Sequence, residues 1–225
     1  MAAPSQAWFS RIRPVNASRQ FSAPSPILRK ARVVALLEHH RGADVVEVGA
    51  GCLRNARYLL GLGFRVTVLE VRGIEERFPE AYRSFSRRGG TLLLADYVPD
   101  TGRFSYSKRL PKGSFDLGVL TFVIETIPLQ SERVRLLKMI GEALRPGGSL
   151  LLSARGPSDL VTATAKGTRA GDGFITPNRT FARAFTKAQL EGLMKKGGFR
   201  HTTFLHAERV AAPELVDCIS RDWRA

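Results

Sequence analysis

The chain has 225 residues, 44% of them hydrophobic, enough for one substantial core and short for two independent domains. Its 35 Lys and Arg against 20 Asp and Glu give a net charge of +15, which suits a polyanionic partner such as RNA or DNA and equally describes a solvated basic surface. No apolar run nears the roughly 20 residues that span a bilayer, and neither the two cysteines, Cys52 and Cys218, nor the four histidines have metal or disulfide spacing, so a soluble cytoplasmic protein without a metal is expected.

Residues 1–27 read as a basic arm. It carries Arg11, Arg13 and Arg19 and no acid, a pattern shared by organelle transit peptides, nucleic-acid-binding arms and disordered tails. A single domain is expected over 28–225. "ILRKARVVALLEHH" has helical spacing, "ADVVEVGAG" is a buried-strand run ending in glycines, and "CLRNARYLLGLG" is a helix closed by Gly61 and Gly63. The alternation repeats. "RVTVLEV" reads as a strand, "GIEERFPEAYRSFSRRGG" as a helix interrupted by Pro79, and "TLLLADY" as a third strand. "FDLGVLTFVIETI" is the fourth, "SERVRLLKMIGEALRPGG" a helix stopped by Pro146, and "SLLLSAR" the fifth. A helix, "TKAQLEGLMKKGG", and a strand-like run, "FRHTTFLH", close the pattern, and no further strand is evident after them.

Strands in continuous apolar runs separated by helices predict an α/β fold: a doubly wound, mostly parallel sheet with helices on both faces. Two segments break the rhythm, a polar basic stretch at 98–114 and a Gly- and Thr-rich one at 156–185. Insertions of that length are usually functional or disordered.

Ligands in such sheets bind beyond the carboxyl ends of the strands, where "EVGAG" stands. Gly49 and Gly51 would let the backbone approach a ligand closely. The dinucleotide pattern is incomplete, because Arg54 occupies the position of its third glycine. Glu47 would repel a pyrophosphate and attract an ammonium. That combination disfavours a nicotinamide-dependent oxidoreductase and favours S-adenosylmethionine, which carries an ammonium, a sulfonium and a ribose. Glu70 lies 23 positions after Glu47 at the next strand end, placed to accept from ribose hydroxyls. Asp96 ends the third strand and could accept from an adenine amine.

With these residues in view, the chain resembles the class I S-adenosylmethionine-dependent methyltransferases over roughly residues 28–205. "VVEVGAG" looks like the first family motif, Glu70 the ribose acid, "ADY" the adenine motif, and "LRPGGSLLLSAR" the fifth strand. The resemblance implies a Rossmann-like methyltransferase fold in which Glu47 orients the methionine ammonium, Gly49 and Gly51 pass beneath it, Glu70 binds the ribose and Asp96 the adenine amine. Tyr97 would lie near the adenine face and Phe122 near the cofactor. Leu53 stands where many members have a third glycine. The overall shape is also similar to methyltransferases associated with bacterial DNA-modification loci.

Methyl transfer from a sulfonium depends on bringing nucleophile and methyl carbon into line, with a base for some acceptors. Glu125 in "FVIET" is the candidate for taking a proton from an acceptor nitrogen or oxygen. Arg155 and the segment 167–186, with Asp172, Arg179 and Phe181, are candidates for the acceptor site, with an aromatic ring to stack on a flat base and Arg179 to meet a phosphate. A methyltransferase acting on nucleic acid is slightly favoured by charge. A small-molecule methyltransferase and a noncatalytic nucleic-acid-binding module are the alternatives.

Overall fold

The computed structural model describes Ile12 and residues 23–160, 166–205 and 215–223. Five strands run parallel at its centre: β1 (Asp44–Val48), β2 (Arg65–Val71), β3 (Thr91–Val98), β5 (Phe115–Thr121) and β6 (Leu144–Arg155). An antiparallel strand lies beyond β3, namely β4 (Arg103–Tyr106). On the opposite side β11 (Leu215–Trp223) runs antiparallel between β6 and β10 (Phe199–Leu205). The complete order is β10-β11-β6-β5-β1-β2-β3-β4.

The chain leaves β1 toward β2 and β3, then returns to β5 on the other flank of β1. Strand order therefore reverses between β1 and β5, where a crevice opens at the carboxyl ends. Helices α1 (Ala31–His39), α2 (Arg54–Gly61) and α3 (Pro79–Arg87) pack on one face through Leu37, Leu59 and Phe85. Helices α4 (Gln130–Ala143) and α5 (Lys187–Lys196) cover the other through Leu136, Ile140 and Leu190. Neighbours along a strand divide between the two cores: Val45 points to the first and Val46 to the second. Burial on both sides is why these strands read as continuous apolar runs.

Several expectations change. Pro79 does not interrupt a helix: it begins α3 at a position whose missing N–H costs nothing, after a short 3-10 turn at Glu75–Arg77. The 98–114 insertion extends the main sheet by β4, and 156–185 contains a second sheet, β7 (Thr168–Ala170), β8 (Gly173–Ile175) and β9 (Phe181–Ala182). The additional strand β11 escaped the sequence pattern because backbone pairing on both sides defines it, with Cys218 between Phe204 and Leu152. Ser25 and Ile27, grouped with the arm in the sequence, are fully buried; the rest of the arm, apart from Ile12 and residues 23–27, lies outside the described residues. Asp116, at the opposite edge of the sheet from the crevice, bonds the Asp44 amide and Arg145.

Candidate active site

The crevice is a cavity of about 500 Å3 lined by the ends of β1, β2, β3 and β5, by β4 and by the roof strand β9. Its floor is the turn after β1, where Gly49 has φ 70° and Gly51 φ 56°. Leu53, at the position of the missing glycine, also takes a left-handed conformation, φ 64°, while its side chain is fully buried. Core burial thus offsets a backbone strain of about 1–2 kcal/mol that glycine would not incur. Phe122 follows β5 with φ 59° and lines the cavity, an uncommon conformation for a bulky residue and one that gathers at functional sites.

Glu47 is 1% exposed. Its Oε1 accepts from Asn55 Nδ2 at 2.8 Å, whereas Oε2 is buried with no hydrogen-bond partner among the described residues. Glu70 accepts from the Gly51 amide at 2.6 Å and the Val71 amide at 2.8 Å, tying the β2 end to the glycine turn. Tyr82 secures the same turn from α3 by donating to the Gly51 carbonyl at 2.8 Å.

Burial pushes both carboxyls, Glu47 and Glu70, up to about 7, with the hydrogen bonds to each only partly opposing it. A folded-state value above the unfolded one means that the folded chain holds the proton more tightly. Their contribution to stability is therefore full below the ordinary carboxylate range and is lost as pH rises through about 7. The melting temperature of the ligand-free protein should fall across that window, and Glu47→Gln should flatten the slope in a thermal scan against pH.

At the β3 end the positions differ from the expected pattern. Asp96 turns out of the cavity to Arg72, at 2.7 Å, and Tyr97 lies against Phe104 with ring centroids 5.3 Å apart. Neither lines the cavity; Ala95, Phe104 and Tyr106 do. The β4 strand that supplies the two rings is clamped to α4: Glu132 Oε2 accepts from the Phe104 amide at 3.2 Å, and Arg135 donates to the Phe104 carbonyl and sits 5.0 Å over the Tyr106 ring. The signal for them was the alternation Arg103, Phe104, Ser105, Tyr106, exposed and inward in turn.

Beyond the glycine turn, Glu125 is 2% exposed, with Arg155 Nε at 3.7 Å from its Oε1; both line the cavity, as does Phe181. Asp172 and Arg179 do not. Asp172 bonds the buried Arg133 of α4 through both oxygens, at 2.7 and 2.9 Å, and also takes Arg183. Arg179 lies in a left-handed turn, φ 60°, its amide bonded to the Thr176 carbonyl at 2.8 Å. Sequence reasoning missed Asn55 and Thr121, which form the polar wall behind Glu47.

A family model described as a methyltransferase domain matches residues 22–203. The chain belongs to this methyltransferase family. Together with the class I order of its sheet, that membership makes it an S-adenosylmethionine-dependent methyltransferase. At the strand-order reversal, Glu47 has a buried carboxyl oxygen with no hydrogen-bond partner among the described residues, a group whose chemistry suits an ammonium. The match is to the domain as a whole and names no subfamily.

Solved methyltransferases share the fold. An S-adenosylmethionine-dependent methyltransferase from Methanosarcina mazei is 17% identical, with 88% of this chain and 96% of that one covered, at a TM-score of 0.59. One from Mesorhizobium loti is 19% identical, covering 87% and 100%, also at 0.59. The 1,6-didemethyltoxoflavin-N1-methyltransferase of Burkholderia thailandensis, solved with 1,6-didemethyltoxoflavin and S-adenosylhomocysteine bound, is 19% identical, covering 88% and 79%, at 0.60. No curated protein matches this methyltransferase in sequence. Among the described residues, no helix is long and apolar enough to cross a membrane.

Proposed function

We propose that this methyltransferase acts on a nitrogen or oxygen of a small, planar acceptor. The observation that carries the reading is the roof: Thr176, Thr180, Phe181 and Ala182 face the same cavity as the glycine turn. A cavity of about 500 Å3 lies within the roughly 300–1,000 Å3 usual for small-molecule sites. An apolar ring, Phe181, beside the Glu125 and Arg155 pair suits a flat heterocycle with polar edges. The Burkholderia thailandensis enzyme of the same fold, which binds the small molecule 1,6-didemethyltoxoflavin, supports the same class.

In this reading Glu47 and Glu70 hold the ammonium and ribose of S-adenosylmethionine, and Gly49 and Gly51 give its chain room. Phe104, Tyr106 and Ala95 flank the adenine in place of Asp96 and Tyr97. The bound cofactor supplies an electrophilic methyl group. Glu125 takes the hydrogen of the acceptor, while the glycine turn and roof hold the two reactants in line and exclude water.

The net charge of +15 supports the alternative of a nucleic-acid acceptor. Methyl-labelled S-adenosylmethionine, incubated with the protein and host extract, separates the two. Label should appear in the small-molecule fraction; label confined to RNA or DNA would overturn the small-acceptor reading.

A further inference from the structure

Glu125 follows β5 and Arg155 ends β6, and one short strip of chain fixes both. The Arg183 amide donates to the Glu125 carbonyl at 3.0 Å, and the Phe185 amide, two residues on, donates to the Arg155 carbonyl at 2.9 Å. Arg155 is also paired in the sheet with Leu215 of β11. Both backbones are therefore held before any ligand arrives. At that spacing Arg155 Nε stands 3.7 Å from Glu125 Oε1, an ion pair beyond hydrogen-bond range.

A guanidinium carries five N–H donors in a flat fork. That of Arg155 is half-exposed, lines the cavity and gives no hydrogen bond to an acceptor among the described residues. The neighbouring arginines are engaged: Arg133 and Arg183 on Asp172, and Arg54 on the Ser25 hydroxyl. The ligand that suits the Arg155 fork is a planar anion, because two parallel N–H bonds match a carboxylate. A phosphate, with about twice the charge, would be repelled by Glu125. We propose that the acceptor is an aromatic carboxylate: its carboxylate binds Arg155, Phe181 covers its ring, and the N–H or O–H to be methylated sits on the neighbouring ring atom, beside Glu125. The 3.7 Å between the two side chains sets that neighbouring relation. The proposal rests on the reading of this cavity as the site of a small, planar acceptor, and it narrows that class to acids.

Two probes of one shape separate charge from fit: salicylate and the neutral salicylamide, titrated calorimetrically at fixed salt into the protein with S-adenosylhomocysteine bound. Charge-assisted hydrogen bonds correspond to an affinity change of about ten-fold or more, so wild type should prefer salicylate by that factor. Arg155→Gln should erase the preference while leaving the affinity for salicylamide unchanged, which reports an intact site. Lys195→Gln removes the same charge from the exposed end of α5 and should leave the preference whole. Equal affinities for the two probes in wild type, or a preference that survives Arg155→Gln, would overturn the anion site and leave the planar-acceptor reading in place. Binding of neither probe would remove that reading, and the anion site with it.

Discussion

Gly49→Val should abolish S-adenosylmethionine binding, lowering affinity by more than about 100-fold, a loss on the scale of the few kcal/mol that overpacking costs. Gly49 has φ 70°, where an L-residue is strained by about 1–2 kcal/mol and a β-branched one by more. A Cβ there would also sit 2.4 Å from Val123 Cγ2. Val123 opens the segment that carries Glu125, and it immediately follows Phe122, so relief of the clash would displace both the glycine turn and the cavity wall opposite it. Calorimetry should show the loss of binding, and thermal melting a destabilised fold. Gly63→Ala is the control: φ is 88° but nothing lies within 4 Å of the added carbon, so it should cost about 1 kcal/mol of stability and spare the affinity. Equal affinities for wild type and Gly49→Val would show that the cofactor does not lie on this turn.

Asp172→Ala should destabilise the protein by about 1–3 kcal/mol, because it removes a charged, partly exposed partner from a buried guanidinium that two carbonyls still hold. Arg133 is fully buried and held by the Ile127 carbonyl at 2.8 Å and the Pro128 carbonyl at 3.2 Å. The rings of Phe181 and Phe185 lie 5.7 Å from its guanidinium carbon, and burial pushes it down to about 10, so it stays charged near neutral pH. Asp172 is what joins the turn between β7 and β8 to α4. Its loss should loosen the roof over the acceptor, raising acceptor KM while leaving S-adenosylmethionine affinity intact. Denaturant unfolding gives the first quantity and steady-state kinetics the second. Replacing Arg133 as well, by Met, should recover part of the stability, since an apolar pair avoids the stranded charge. Unchanged stability with lost turnover would return Asp172 to the acceptor-binding role that its place in a glycine-rich loop first indicated.

The two carboxyls beside the glycine turn and the Glu125–Arg155 pair divide the cavity by charge. Burial raises Glu47 and Glu70 to about 7, so both carboxyls are part protonated near neutral pH, and a cation brought beside them would favour release of those protons. Glu125 instead has a guanidinium beside it. A cationic group therefore gains more beside the glycine turn than beside the Arg155 guanidinium.

How much of this was legible in the sequence follows from the distance over which each feature is determined. The strand, glycine turn and helix from Asp44 to Gly61 and the strand Arg65–Val71 after them are local, written in apolar runs and in glycines that tolerate a left-handed backbone, and they placed Glu47 and Glu70 near strand ends without any tertiary information. The same local logic put Asp96 and Tyr97 at the β3 end. Only the folded sheet decided that Asp96 faces Arg72 and that β4 brings Phe104 and Tyr106 to the cavity, because side-chain direction depends on which strand pairs beyond the edge. Asp172 and Arg133 are 39 residues apart, and Ser25, Asn55 and Thr121 meet across 30 and 66 residues. Buried polar groups must find partners wherever the chain brings them, and periodicity says nothing about which. The sequence by itself determined the layered sheet, the family and the glycine turn; the roof, the β4 wall and the partners of the network behind Glu47 were decided by long-range packing.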